Sequence, residues 1–168
     1  MPRDSLMRLY VDSLRDLYSA EQQILDALPK MIDRASHPGL IQDLRQHLDV
    51  TRHQVDRLDR IFQMLRERSS GPQCEGMRGI IAEGERTMKE HGDSDVLDAA
   101  VIAAAQKVEH YEMAGYGCVR TWAAMLAFAD QMELLQQTLD EEGDMDHRLT
   151  ALAESVVNLD AMKIGVGR

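Results

Sequence analysis

The stretch Asp98-Ala-Ala-Val-Ile-Ala-Ala-Ala-Gln-Lys-Val-Glu-His-Tyr-Glu112 decides the fold class. It is dominated by alanine, glutamine, lysine and glutamate, all strong helix formers, and contains neither glycine nor proline. Continued to Val119, it forms a stripe at positions 101, 105, 108, 112, 116 and 119, the three-and-four spacing of one buried helical face. Glu112 sits inside that stripe, with Glu109 one turn earlier. The alanines allow a neighbouring helix to approach closely, and the carboxylates stand where leucines are ordinarily found.

Helical periodicity continues in both directions. Towards the N-terminus, a first helix opens on Asp4 or Ser5 as cap and runs to about Ala35, with an apolar stripe of Leu14, Leu17, Ile24, Leu25, Leu28 and Ile32. Ser36-His37-Pro38-Gly39 ends it, because proline disfavours a helical conformation at the residue before it. A second helix carries Ile41, Leu44, Leu48, Val55, Leu58, Ile61 and Leu65 and ends near Ser69-Ser70-Gly71-Pro72. So short a break implies an antiparallel hairpin. Residues Gln73 to His91 read as a connection with its own small helix, built on Met77, Ile80, Ile81 and Met88 and closed by Gly92-Asp93-Ser94.

The third long helix then starts at Ser94 or Asp95 and runs to about Phe128. Ala129-Asp130 marks a turn, and a fourth helix runs to about Asn158. No stretch alternates apolar and polar residues as a strand would. The expectation is an all-α, ferritin-like four-helix bundle of two antiparallel hairpins, with a crossover containing a short extra helix. Residues 1–160 form one domain and residues 161–168 a frayed tail.

Composition narrows the function classes. With 44% hydrophobic and 29% charged residues the chain belongs to the globular class. A net charge of −10 repels a nucleic-acid backbone or an anionic membrane surface. The densest basic stretch, Arg57 to Arg68, is interleaved with Asp56, Asp59 and Glu67 and reads as a solvated helix face. No apolar run approaches the roughly 18 residues of a membrane span, and the first ten residues lack the apolar core of a secretory signal, so the expected location is cytoplasmic. Cys74 and Cys118 stand alone and read as buried or half-buried reduced thiols. Among the eleven methionines, Met31, Met64, Met125 and Met132 read as adaptable core filler.

The informative residues are carboxylates inside apolar stripes. Glu21 interrupts the stripe of the first helix, Glu112 that of the third, and Glu142 and Asp146 fall between Leu135, Leu139, Leu149 and Leu152 of the fourth. A single such residue is ordinarily a boundary side chain whose head reaches water. Three helices with carboxylates near mid-helix are harder to explain in that way. An ionised carboxylate buried alone costs several kcal/mol, roughly, so it is paired, protonated or bound to metal. No matching lysines or arginines occur in these stripes. Divalent cations neutralise such a cluster, and oxygen-rich ligation suits iron or manganese better than zinc.

The runs Tyr18 to Leu28, Gln73 to Gly84, Asp98 to Glu112 and Thr138 to Glu142 are similar to the bacterial YciE/YciF family over about residues 5 to 155. The resemblance implies a rubrerythrin-like fold, a link to stress responses and a ligand set. Glu21, Glu109, Glu112 and Glu142 occupy the ligand positions, and Asp146 stands where a histidine is usual. On the second helix the family reads His-Leu-Glu-Glu-Thr-x-x-Gln, whereas this chain has His47-Leu-Asp-Val-Thr-Arg-His-Gln54. Val50 therefore replaces a family glutamate. His53 or Gln54 can compensate as ligands, Gln54 and Asp146 are either ligands or residues that orient them, and His47 is a ligand or a buried hydrogen-bonding histidine; the ordinary reading of His53 is a surface residue. His110 and His147 face solvent or a neighbouring subunit.

Two functions compete. One is a dinuclear iron or manganese oxidoreductase that consumes peroxide or oxygen, with Tyr18 or Tyr116 placed to donate a hydrogen bond and the electron donor unidentified. The other is a non-catalytic metal-sequestering or partner-binding bundle whose metal site Val50 has weakened. A storage cage is weaker still, because it demands a large assembly. A homodimer is expected, since ferritin-like bundles often pair through helix faces.

Overall fold

A computed structural model describes residues 5–92 and 96–163. Its long helices are α1 (Leu6–Arg34), α2 (Pro38–Leu65), α4 (Leu97–Met125) and α5 (Ala129–Leu152). The crossover helix α3 (Glu75–Glu90) links the two pairs, and α6 (Asn158–Lys163) follows a wide π turn at Ala153–Val157. Local signals explain most of the boundaries. Ser5 Oγ accepts from Arg8 N at 3.2 Å, a serine cap; the alternative cap, Asp4, lies outside the described residues, as do Ser94, Asp95 and residues 164–168. Pro38 occupies the first turn of α2, where its missing N–H costs nothing.

α1 packs on α2 and α4, and α5 on α2 and α4, so the four long helices stand at the corners of a square. The N-terminal half of α1 shares an apolar cluster with the C-terminal halves of α2 and α4 and the N-terminal half of α5: Leu14, Leu17, Leu58, Ile61, Tyr116, Val119, Leu134 and Leu135. The second cluster gathers the opposite halves around Ile24, Leu28, Leu40, Leu44, Val101, Ala105, Met145 and Leu149. Neighbouring helices are therefore antiparallel, and the chain must travel the length of the bundle between α2 and α4. α3 makes that journey along the α1–α4 seam, tied at one end by Cys74 N to Ser19 Oγ at 2.9 Å and at the other by Arg34 to Met88 O at 3.0 Å. This is the ferritin-like connectivity expected from the sequence.

Several boundaries differ from the sequence reading. α2 ends at Leu65, because Arg66 takes a left-handed conformation (φ 55°) and Glu67 N returns to Phe62 O. α4 ends at Met125 and the turn spans Leu126 to Phe128, with Ala127 left-handed (φ 61°); Ala129-Asp130 already belongs to α5. Phe128 packs against Tyr10, ring centroids 6.1 Å apart, which holds this glycine-free turn. The fourth long helix is interrupted by the π turn. Leu149, Ala153 and Val157, four residues apart, all face the core. In a regular α-helix that spacing drifts by about 40° per step, and the wider turn removes the drift. Residues 161–163, expected in a frayed tail, close α6.

Met64 (44% exposed) and Met125 (70% exposed) are surface residues, unlike buried Met31. Cys118 is exposed, whereas Cys74 is buried against Tyr111 Oη at 3.0 Å and Asp16 at 3.2 Å. Within the expected solvated stretch, Arg57 is half-buried and clamps Glu141 with two bonds of 2.6 Å. No helix among the described residues is long and apolar enough to cross a membrane.

Candidate metal centre

The two apolar clusters are separated by a polar layer at mid-bundle, to which all four long helices contribute. α1 supplies Glu21, between Leu17 and Ile24. α2 supplies His47, Thr51 and Gln54, at the three-and-four spacing that continues Leu44 and leads to Leu58. α4 supplies Glu109 and Glu112; α5 supplies Thr138 and Glu142. Every one of these is at most 2% exposed. One ligand atom from each of His47, Glu109, Glu112 and Glu142 lies within 4.8 Å of the others. His47 Nε2 stands 3.6 Å from Glu109 Oε1, too far for a good hydrogen bond. Glu21 joins from the side and accepts a short hydrogen bond from the Tyr116 hydroxyl.

Electrostatics define what such a layer needs. Burial, with Glu142 beside it, pushes the Glu21 carboxyl up to about 8 despite the bond from Tyr116. Burial and the same neighbour raise Glu109 and Glu112 well above the usual carboxylate range. Burial lowers His47 and favours the neutral imidazole, the form that ligates metal. Burial and the Glu21 charge raise Tyr116, so its phenol stays protonated and remains a donor.

Seven polar atoms in this layer have no hydrogen-bond partner: Glu21 Oε2, His47 Nε2, Gln54 Oε1, Glu109 Oε2, both Glu112 oxygens and Glu142 Oε2. Each orphan costs about 1–3 kcal/mol; protons shared between the raised carboxyls relieve some of them, and a bound cation can relieve several at once. Four carboxylates and one imidazole form an oxygen-rich donor set, which fits iron or manganese. His47, Glu109, Glu112 and Glu142 are placed to hold it, and Glu21 stands beside them.

Gln54 reaches the layer as an orienting residue, one of its two expected roles. Its Nε2 donates a short bond to Glu142 Oε1 and a longer one, 3.3 Å, to Glu141 Oε2. It therefore orients Glu142, although its free Oε1 remains available. The chain of contacts continues through Glu141 to Arg57, which also touches Thr138 Oγ1 at 3.2 Å. Glu141, Arg57 and Thr138 support the site without having been expected there; Arg57 was expected on a solvated helix face. Arg57 lies three residues after Gln54, the only local hint that they share a face.

Two expected ligands are not there. His53 is exposed, one residue short of the buried position that Gln54 takes. Asp146 points away from the cluster along the α4–α5 seam. It accepts from Gln106 Nε2 at 3.1 Å and pairs with exposed His110 at 3.2 Å, while Met145 fills the inward position. Tyr18 also lies elsewhere, edge-on to Phe62 with ring centroids 6.0 Å apart. Val50 is half-buried beside His47, in a groove between α2 and α5 lined by Gln46, Glu141, Asp144 and Arg148. The inward stripe of α2 passes through His47 and Thr51, so Val50 leaves the observed four-residue cluster intact.

Comparison with known proteins agrees with this architecture. The family model of a domain of unknown function, DUF892, matches residues 5–162. Protein YciF of Escherichia coli (strain K12) is 38% identical over 151 residues, 89% of this chain and 91% of YciF. The crystal structure of that E. coli stress protein matches with a TM-score of 0.88 at 37% identity, over 92% of this chain and 98% of the other. YcfI from Rhodopseudomonas palustris, described as a candidate structural protein, matches with a TM-score of 0.85 at 43% identity, over 89% of this chain and 97% of its own.

Proposed function

We propose that this chain, which belongs to the DUF892 family, is a YciF-like stress-response protein whose bundle core binds a pair of iron or manganese ions and consumes oxygen or peroxide. The observation that carries the reading is the set of seven unpartnered polar atoms converging from all four long helices. Glu21, His47, Glu109, Glu112 and Glu142 hold the ions between the two apolar clusters above and below. Bound in the reduced state, such ions supply the electrons that an O–O bond takes up. Tyr116 fixes Glu21 through its hydroxyl and keeps a proton at that oxygen atom. Gln54, held by Glu141 and Arg57, fixes Glu142 in the same way.

Elemental mass spectrometry after anaerobic reconstitution with iron or manganese tests this. Bound metal near two ions per chain, lost in Glu112→Ala, supports the reading; a wild-type chain that folds and retains no metal overturns it. A second reading is non-catalytic metal sequestration in a structural bundle. It is favoured by the single nitrogen ligand and by the description of YcfI. Metal retained without turnover of peroxide or oxygen decides for it. A homodimer suffices for both readings and native mass measures it.

A further inference from the structure

We infer that the space enclosed between α1, α3 and α4 is an entry and holding site for dioxygen, leading from the α1–α3 seam to the His47–Glu109 side of the centre. This rests on the reading of the centre as a redox metal site, and it selects dioxygen over peroxide for this route. The cavity measures about 30 Å³ and its walls are apolar: Ile24 and Met31 of α1, Ile80 and Met88 of α3, Ala104 and Val108 of α4. Its inner end is His47 and Glu109. Lys30 and Glu85 also line it; their ion pair of 3.0 Å bridges α1 and α3 with both side chains largely exposed, 67% and 49%, which marks the outer end.

Small residues create this space. Gly84 faces Ala104 so closely that an added Cβ would lie 3.0 Å from the alanine methyl. α3 therefore lies close over the seam, while the alanines of α4 leave room beneath it.

The volume exceeds the roughly 10–15 Å³ one water requires, yet a water also needs two to four polar partners. Polar groups stand only at its ends, the Lys30–Glu85 pair outside and the unpartnered His47 Nε2 and Glu109 Oε2 inside, and the wall between them offers none. Hydrogen peroxide, which must surrender its hydrogen bonds to enter, pays the desolvation penalty along the apolar wall. Dioxygen has none to surrender. The groove on the opposite face, between α2 and α5, is about 360 Å³, carries Gln46, Glu141, Asp144 and Arg148, and also ends on His47. Polar reactants have that approach instead.

Dissolved dioxygen is itself the probe. In the metal-free full-length chain, paramagnetic relaxation of methyl resonances under oxygen pressure should be strongest at Ile24, Ile80 and Ala104. Leu58 and Val119 of the other cluster are the reference, and equal relaxation in both clusters overturns the proposal. Ala104→Leu fills the space and should abolish the enhancement; Ile81→Phe, at a half-buried lining position, serves if that variant does not fold. In the ferrous-loaded chain the filled variant should slow iron oxidation by dioxygen by roughly tenfold, the factor set by one rotamer displacement in the path, with peroxide oxidation unchanged. Equal slowing of both oxidants, or of neither, overturns the route. A chain that binds no metal refutes the redox reading, and the relaxation experiment still decides the cavity.

Discussion

Glutamine at position 21 should make the metal-free protein more stable, and the size of the gain should depend on pH. Glu21 is fully buried, with its carboxyl raised from the ordinary 4.5 to about 8. The unfolded chain ionises this group near 4.5, whereas the fold keeps it protonated until about 8. Between these values the folded state binds the extra proton, so stability falls as pH rises, and below 4.5 the penalty is absent. At pH 7, about 2.5 pH units above the ordinary value, the penalty is about 3 kcal/mol at about 1.36 kcal/mol per unit. Glu21→Gln removes it. The amide oxygen can still accept from Tyr116, and the new N–H₂ faces the unpartnered carboxylate oxygens. Urea unfolding of the metal-free variant at pH 7 should show a gain of about 2–3 kcal/mol that vanishes near pH 4.5. With iron or manganese added, the order should reverse, because the variant has lost an anionic ligand. A metal-free variant no more stable than the parent at pH 7, or a gain independent of pH, would refute the idea that uncompensated buried carboxylates strain the empty core.

Asp146→Asn should leave metal content unchanged by elemental analysis, whereas Glu142→Ala, one turn earlier, should abolish it. The stability cost at Asp146 should stay below about 1 kcal/mol, since its partners are Gln106 and an exposed histidine. Asp98→Ala should cost about 3 kcal/mol in chemical unfolding. Its carboxylate accepts from Ser36 N, Ser36 Oγ and His37 N at 2.7–2.8 Å and holds the α1–α2 turn to the start of α4. Gly76→Ala would set a Cβ 2.7 Å from the Tyr111 ring and hydroxyl, so Tyr111 must leave Cys74 and Asp16; thermal unfolding should report a loss of about 1–3 kcal/mol.

Periodicity in the chain was enough to determine the helices, their antiparallel pairing and the long crossover, because apolar spacing and proline or glycine breaks act locally. It was also enough to single out Glu21, Glu112 and Glu142, together with Asp146, since a charge inside an apolar stripe is visible without knowing what faces it; Glu109 entered as a ligand through the family resemblance. Position on a helix face is coarser than a ligand shell. Residues 142, 145 and 146 all lie within one turn, and only packing against α4 sends Met145 inward and Asp146 to Gln106 and His110. The same holds on α2, where one step of about 100° separates buried Gln54 from exposed His53. The α4–α5 turn carries no glycine, so its left-handed Ala127 follows from Phe128 docking on Tyr10, a contact between residues far apart in sequence. Gln131 meets Tyr10 at 2.8 Å for the same reason. The Arg57–Glu141–Gln54 support and the apolar space beneath α3 likewise exist only between helices far apart in sequence. Local spacing decides which face a residue occupies, and tertiary packing decides which neighbour that face meets.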